Sequence, residues 1–274
     1  MKLYGVVNMD IVGSRLVRDR QHLQVKLNSY IDHINAKYLD ILACPATVTL
    51  GDEWQLITPK PMESYNFVHE FQQLLWNDDM ELYAGIGIGE LSTPITDDIR
   101  KMDGSCFHIA RNAINIAKNI DKLKSNYNVN KLNRVFLMTN RIPYDSFGFN
   151  ILNYYYNSKA AYNEDVLQEI AVAGDNNTES GKNDFLDIIL YERTLNLIIE
   201  NNEVLKAKMT KKQRETYINY IKLGSYRKVV DLASGDNKES IGGISQKLNN
   251  ASYFTIQRNH YMVSALLNAY CTGV

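Results

Sequence analysis

Apolar and polar positions along the first half of the chain switch between two periods. Residues 3–9, LYGVVNM, run into Asp10, and such a run predicts a buried strand that delivers a carboxylate at its C-terminal end. Gly13-Ser14 break the pattern. From about Asp19 to Tyr38, Leu23, Leu27, Tyr30, Ile31 and Ile34 then recur at helical spacing. ATVTL, Gly51-Asp52 and EWQLIT together predict a tight β-hairpin with Asp52 at or beside its turn. Pro59 and Pro61 close that strand, and Tyr65, Val68, Phe71, Leu74 and Leu75 mark one face of a helix within 62–76. ELYAGIGIGEL alternates glycine with isoleucine, as suits a central strand approached closely by another backbone or by a ligand. A third helix over 105–120 and a strand over 134–139 complete an α/β order, with helices expected on one face of a mixed sheet.

Residues 141–183 are rich in Asn, Tyr, Asp and Ser, and they read as irregular. A long amphipathic helix is expected from Phe185 to about Lys206, carrying Ile188, Leu195, Ile198 and Ile199. Beyond it, TKKQRETYINYIKLG, YRKVVDLA and ESIGGISQKLNNA read as three short helices, an arrangement that suggests a helix-turn-helix. The last stretch, YFTIQRNHYMVSALLNAY, is helical in period, and it either packs back on that module or pairs two chains. The expected organisation is an α/β domain over 1–183, a connecting helix over 184–207 and a helical domain over 208–274.

Composition narrows the classes. Of 274 residues, 45% are hydrophobic and 22% charged, which is globular and excludes a disordered chain. With 30 basic and 31 acidic residues the net charge is −1, so attraction to nucleic acid or anionic lipid has to be local. Such a local asymmetry exists. Residues 208–274 hold ten Lys or Arg against four Asp or Glu, a net +6 that leaves −7 for residues 1–207. No apolar run reaches the length of a membrane span, and MKLYGVVNMD does not read as a secretory signal, so no membrane association and a cytoplasmic location are expected. Cys44, Cys106 and Cys271, odd in number and far apart, read as buried thiols.

The candidate chemistry lies in Asp10 and in Gly51-Asp52-Glu53. Two neighbouring strands, one ending in an acid and one turning through acids, can bring carboxylates close enough to share a divalent cation, and oxygen-only ligands favour Mg²⁺ or Mn²⁺. Such a metal bridges phosphates. The backbone of Ile11, Val12, Gly13 and Ser14, with Ser14 and Arg15 side chains, can supply donors to them. The plainer reading has Asp10 capping a turn and Asp52-Glu53 as a solvated hairpin tip. Arg111 has a plain reading as well, either snorkelling to solvent or pairing with Asp103. The Tyr154-Tyr155-Tyr156 run can stack bases or simply pack. In the tail, Lys211, Lys212, Arg214, Arg227, Lys228, Lys238 and Lys247 can neutralise phosphates, and Ser240, Ser245, Gln246 and Asn249 can face base edges.

These residues carry a resemblance. MDIVGS is similar to the first metal motif of class III nucleotidyl cyclases. TLGDEWQ resembles their second metal motif and the hairpin of diguanylate cyclases, and YAGIGIGEL resembles the strand that follows in both. With GSCFHIARNAI and the C-terminal helices, the pattern looks most like the SatD family, a cyclase-like domain followed by a helix-turn-helix. The resemblance implies an α+β, ferredoxin-like, nucleotidyl cyclase-type mixed sheet with a small all-α domain. It further implies Asp10 and Asp52 as metal ligands for Mg or Mn, and Glu53 and Arg111, with His108 beside it, as catalytic groups, Phe107 or His108 standing where the cyclase motif has Asn. A nucleoside triphosphate or cyclic nucleotide, DNA and a second copy of the chain are the implied partners, and the implied role is that of a regulator. The alternative is a non-catalytic nucleotide sensor or scaffold with a degenerate site, its C-terminal helices serving dimerisation.

Overall fold

The computed structural model describes residues 2–119, 130–140, 179–232 and 239–272, with side chains of the helix over 179–207 described from Tyr191 onward. Strand β1 (Leu3–Ile11) lies at the centre of a five-stranded sheet of order β2-β3-β1-β4-β5, with β2 (Thr47–Leu50), β3 (Glu53–Thr58), β4 (Leu82–Glu90) and β5 (Val135–Thr139). The β1–β3, β1–β4 and β2–β3 pairs are antiparallel, and β5 joins β4 in parallel. Helices α1 (Arg20–Lys37) and α2 (Ser64–Trp76) fall in the order β1-α1-β2-β3-α2-β4, the split βαβ arrangement, to which α3 (Ser105–Lys118) and β5 are appended. Asp19 caps α1 by accepting from the His22 N–H at 2.8 Å. Gly51, at φ 61, makes the two-residue turn of the β2–β3 hairpin.

Both faces of the sheet are covered, whereas the sequence pattern leads one to expect helices on one face. On the first face, Val7 and Met9 of β1, Trp54 and Leu56 of β3 and Ile86 and Ile88 of β4 pack with Leu27, Ile31 and Ile34 of α1 and Phe67 and Phe71 of α2. The opposite face carries α3. The step from β3 to β4 and the step from β4 to β5 run the same way across the sheet between parallel strands, so equal handedness would have put α3 beside α2. Residues 91–104 instead lead the chain to the other face, where Ile99 and Met102 join Tyr4, Val6, Ile57, Cys106 and Ala110 in a second cluster. The strand glycines make this possible. A Cβ at Gly87 would lie 2.3 Å from Ala110 N and 2.4 Å from Cys106 O, and one at Gly85 would lie 2.1 Å from Ile114 N. The close partner is thus the α3 backbone, not a ligand.

The long helix α4 (Glu179–Ala207) starts earlier than the Phe185 expected. Residues 141–178, including the Tyr154-Tyr155-Tyr156 run, lie outside the described residues. Helices α5 (Lys211–Leu223), α6 (Tyr226–Leu232) and α7 (Ile241–Asn250) surround a small cluster of Val229, Ile244 and Leu248. A Thr210/Gln213 capping box opens α5, and left-handed Gly224 closes it. Helix α8 (Tyr253–Thr272) packs back on the α/β unit: Val263, Leu267 and Tyr270 belong to the main core with Leu195 and Ile199 of α4. Buried Cys44 and Cys106 are inert thiols, pushed by burial up to about 11 and about 12. Among the described residues no helix is long and apolar enough to cross a membrane.

Candidate functional site

The register of the central strands builds the site. Asp10, near the end of β1, lies directly opposite Glu53, the first residue of β3, so both side chains emerge on the α3 face. Asp52 sits one residue back, in the hairpin turn. Two carboxylates side by side repel, and α3 answers them. Lys118 is paired with Asp10 and, at 3.4 Å, with Glu53 Oε2, while Arg111 Nη1 meets Glu53 Oε1 at 2.5 Å. Arg111 and Lys118 are two helical turns apart and therefore share one face of α3.

From the other side, Arg20 Nη2 lies 3.3 Å from Asp52 Oδ1, and its Nη1 donates to the Ser14 carbonyl at 2.8 Å, tying the turn after β1 to the hairpin tip. Asp10 and Asp52 are close enough to perturb one another. Burial raises the Asp10 carboxyl above its ordinary range and the Asp52 charge raises it further, against the opposing pull of Lys118. Burial also acts to raise Asp52, but hydrogen bonding to Ser14, Asp10 and Arg20 outweighs it, so Asp52 is lowered. Asp52 Oδ2 is buried and has no hydrogen-bond partner.

The sequence-predicted residues Asp10, Asp52, Glu53 and Arg111 thus meet, and Arg111 pairs with Glu53 rather than with Asp103. His108 is turned away, 75% exposed and 3.2 Å from Asp103. No motif in the sequence includes Arg20 or Lys118. Lys118 was legible as the residue seven after Arg111, whereas nothing in the pattern marks Arg20. The turn after β1 departs from expectation. The Val12 N–H is already bonded to the Glu81 carbonyl at 2.9 Å, Ile11 continues the β1–β4 ladder, and Ser14 opens only a three-residue 3-10 turn, with α1 beginning at Arg20. Gly13 is left-handed at φ 67, and Arg15 points to solvent.

Among the described residues no group of three or more His, Cys, Asp or Glu forms a metal cage. Mg²⁺ seldom needs one, since one or two carboxylates plus substrate phosphates and water suffice. Asp10 with the unpartnered Asp52 oxygen fits that sparser donor set. Three carboxylates already face three cations, so charge balance alone demands no metal.

The tail cations are dispersed. Lys212, Arg227, Lys228 and Gln246 are exposed, and Ser245 is half-buried. Lys247 pairs with Glu239, and Lys211 lies 3.1 Å from Asp79. Arg214 faces inward, its guanidinium 5.3 Å from the Trp76 ring centre and 3.7 Å from Glu81, so it lies off the outward face of the three-helix unit. Lys238 lies outside the described residues.

Fold and site define a mixed α+β protein with an acidic strand end and hairpin answered by cations from two helices. The family model of the SatD family matches residues 4–137, from β1 into β5 and just under half of the chain, which supports that family for the α/β unit. No curated protein matches the chain.

Proposed function

We propose that the α/β unit is a metal-dependent, nucleotidyl cyclase-like nucleotide-binding domain, and that it is coupled to a helix-turn-helix which binds DNA, making the protein a regulator. The carrying observation is the Asp10–Asp52 pair: two carboxylates in mutual contact, with one buried oxygen unpartnered, ringed by Arg20, Arg111 and Lys118. Asp10 and Asp52 would hold Mg²⁺ or Mn²⁺, which when bound neutralises phosphate oxygens. The chain's own part is to release cations. Lys118 and Arg111, held by Asp10 and Glu53 in the free protein, can turn to the phosphates of a nucleoside triphosphate and offset charge on the transferred group. Glu53 keeps both side chains aligned meanwhile. By resemblance to class III cyclases, a second copy of the chain would complete the site.

The test is a panel of nucleotides with Mn²⁺, scored by thermal shift and by pyrophosphate release. The expected result is a metal-dependent rise in Tm, reflecting about 3 kcal/mol of added stability at a hundredfold excess over Kd, that Asp52→Asn abolishes. No shift with any nucleotide rejects the reading. One observation favours a second reading, a non-catalytic sensor or scaffold: the three carboxylates are already neutralised by three cations. A thermal shift without pyrophosphate selects it. For DNA, affinity should fall steeply with salt and drop several-fold in an Arg227→Gln/Lys228→Gln variant, since both side chains are exposed on α6. Unchanged affinity, or none, removes the DNA part.

A further inference from the structure

A separate cleft, open to solvent at its mouth, lies at the seam between the α/β unit and the C-terminal helices, with a cavity volume of about 30 Å³. Trp76 of α2, Glu81 ahead of β4, Arg134 ahead of β5, Lys206 of α4 and Arg214 of α5 line it. The three cations face two carboxylates, Glu81 and Glu203. Glu203 is fully engaged, accepting from Tyr65 Oη at 2.9 Å, Gln72 Nε2 at 2.6 Å and Lys206 Nζ at 2.8 Å. Glu81 must therefore serve two guanidiniums, pairing closely with Arg134 and lying 3.7 Å from Arg214.

Each guanidinium carries a fork of N–H donors and no acceptor, so donors outnumber acceptors here. Arg214 Nε is buried without a hydrogen-bond partner. Both guanidiniums are held against aromatic rings, Arg134 5.9 Å from the Tyr83 centre and Arg214 5.3 Å from that of Trp76, so their side chains are fixed in place rather than trailing in solvent. Burial lowers both arginines, against the pull of Glu203 on Arg134 and of Asp79 on Arg214, and the Arg214 charge lowers Arg134 further.

From this geometry we infer that the cleft is a binding site for a small oxyanion, held in the fork of Arg134 and Arg214. A phosphate group or a compact di-carboxylate supplies the missing acceptors and the missing negative charge, because planar guanidinium forks match both. Occupancy would tie α5 to the strand ends at Glu81 and Arg134, making the anion a link between the two parts of the chain. None of the residues of the Asp10–Asp52 cluster lines this cleft.

Trp76 reports on it. The chain has two tryptophans, and Trp54 is fully buried in the main core. Full-length protein is titrated at constant ionic strength with inorganic phosphate, with malonate and with chloride, following tryptophan emission and Tm. Saturable changes in both with phosphate or malonate, absent with chloride, are expected, and the better of the two identifies the ligand class. Arg214→Lys, which keeps the charge but loses the fork, should weaken binding about tenfold with Tm in the absence of anion nearly unchanged. Asp10→Asn should leave anion affinity as it was. A response equal to that of chloride overturns the site, as does full affinity in Arg214→Lys together with full affinity in Arg134→Lys.

Discussion

Asp10 ends the central strand with a carboxyl whose ionised form the fold disfavours, since burial and the neighbouring Asp52 charge both raise it against the pull of Lys118. A raised acid contributes stability that is complete below its unfolded value of 3.8 and is lost as pH rises through the folded value. At neutral pH, therefore, Asp10→Asn should leave Tm unchanged or higher, as measured by thermal melts at pH 7, while removing metal-dependent nucleotide binding. A fall of several degrees would mean that Asp10 serves chiefly to anchor Lys118. The residue scale is where the sequence was most informative about position. Asp10, Asp52, Glu53 and Arg111 converge because an apolar strand ending in an acid and a Gly-Asp hairpin leave few alternative geometries. The inward turn of Arg214 was not legible, since its partners Trp76 and Glu81 are more than a hundred positions away and no periodicity links them.

At the scale of elements, β4 and α3 meet backbone against backbone. Gly87→Ala would drive a methyl to 2.3–2.4 Å from helix backbone atoms, which cannot step aside as a side chain tip can. The expected loss is about 3 kcal/mol or more, read as a drop in urea midpoint, and because α3 carries Arg111 and Lys118 the same change should weaken the site. A neutral outcome would mean that α3 can lift away from the sheet without cost. Strand and helix boundaries follow from local periodicity to within a few residues, except at the start of α4, which begins at Glu179 rather than Phe185. The face on which α3 lies does not, because crossover handedness is a property of three elements together and the alternating glycines name a close neighbour without naming its side.

At the scale of the whole molecule, the parts are joined by a polar seam. His69 and His260 stack at 4.4 Å between centroids, next to Tyr65 and the buried Glu203–Lys206 pair. His69 also meets Tyr217 Oη of α5 at 2.9 Å. Burial and the Lys206 charge hold both histidines well below 6.5. The unfolded chain thus binds more protons than the folded one once pH falls below about 6.5, so this stability is present above that value and lost beneath it. Two such groups give a slope of up to about 3 kcal/mol per pH unit. Urea midpoints measured between pH 7.5 and 5 should fall accordingly, more steeply than in a His260→Gln variant. Equal slopes would discount the seam.

Helix α8 closes that seam from a distance: His260 meets Asn66 across 194 positions of sequence, and Val263, Leu267 and Tyr270 fill the main core beneath the sheet. A nascent chain on the ribosome therefore carries an open apolar face on its α/β unit until residues beyond 250 have been synthesised and have cleared the exit tunnel. The first half can collapse early, but its final packing must wait for a helix encoded nearly two hundred codons later. This ordering makes the face covered by α1 and α2 wait for the helical unit, while the carboxylate site on the α3 face is built without it.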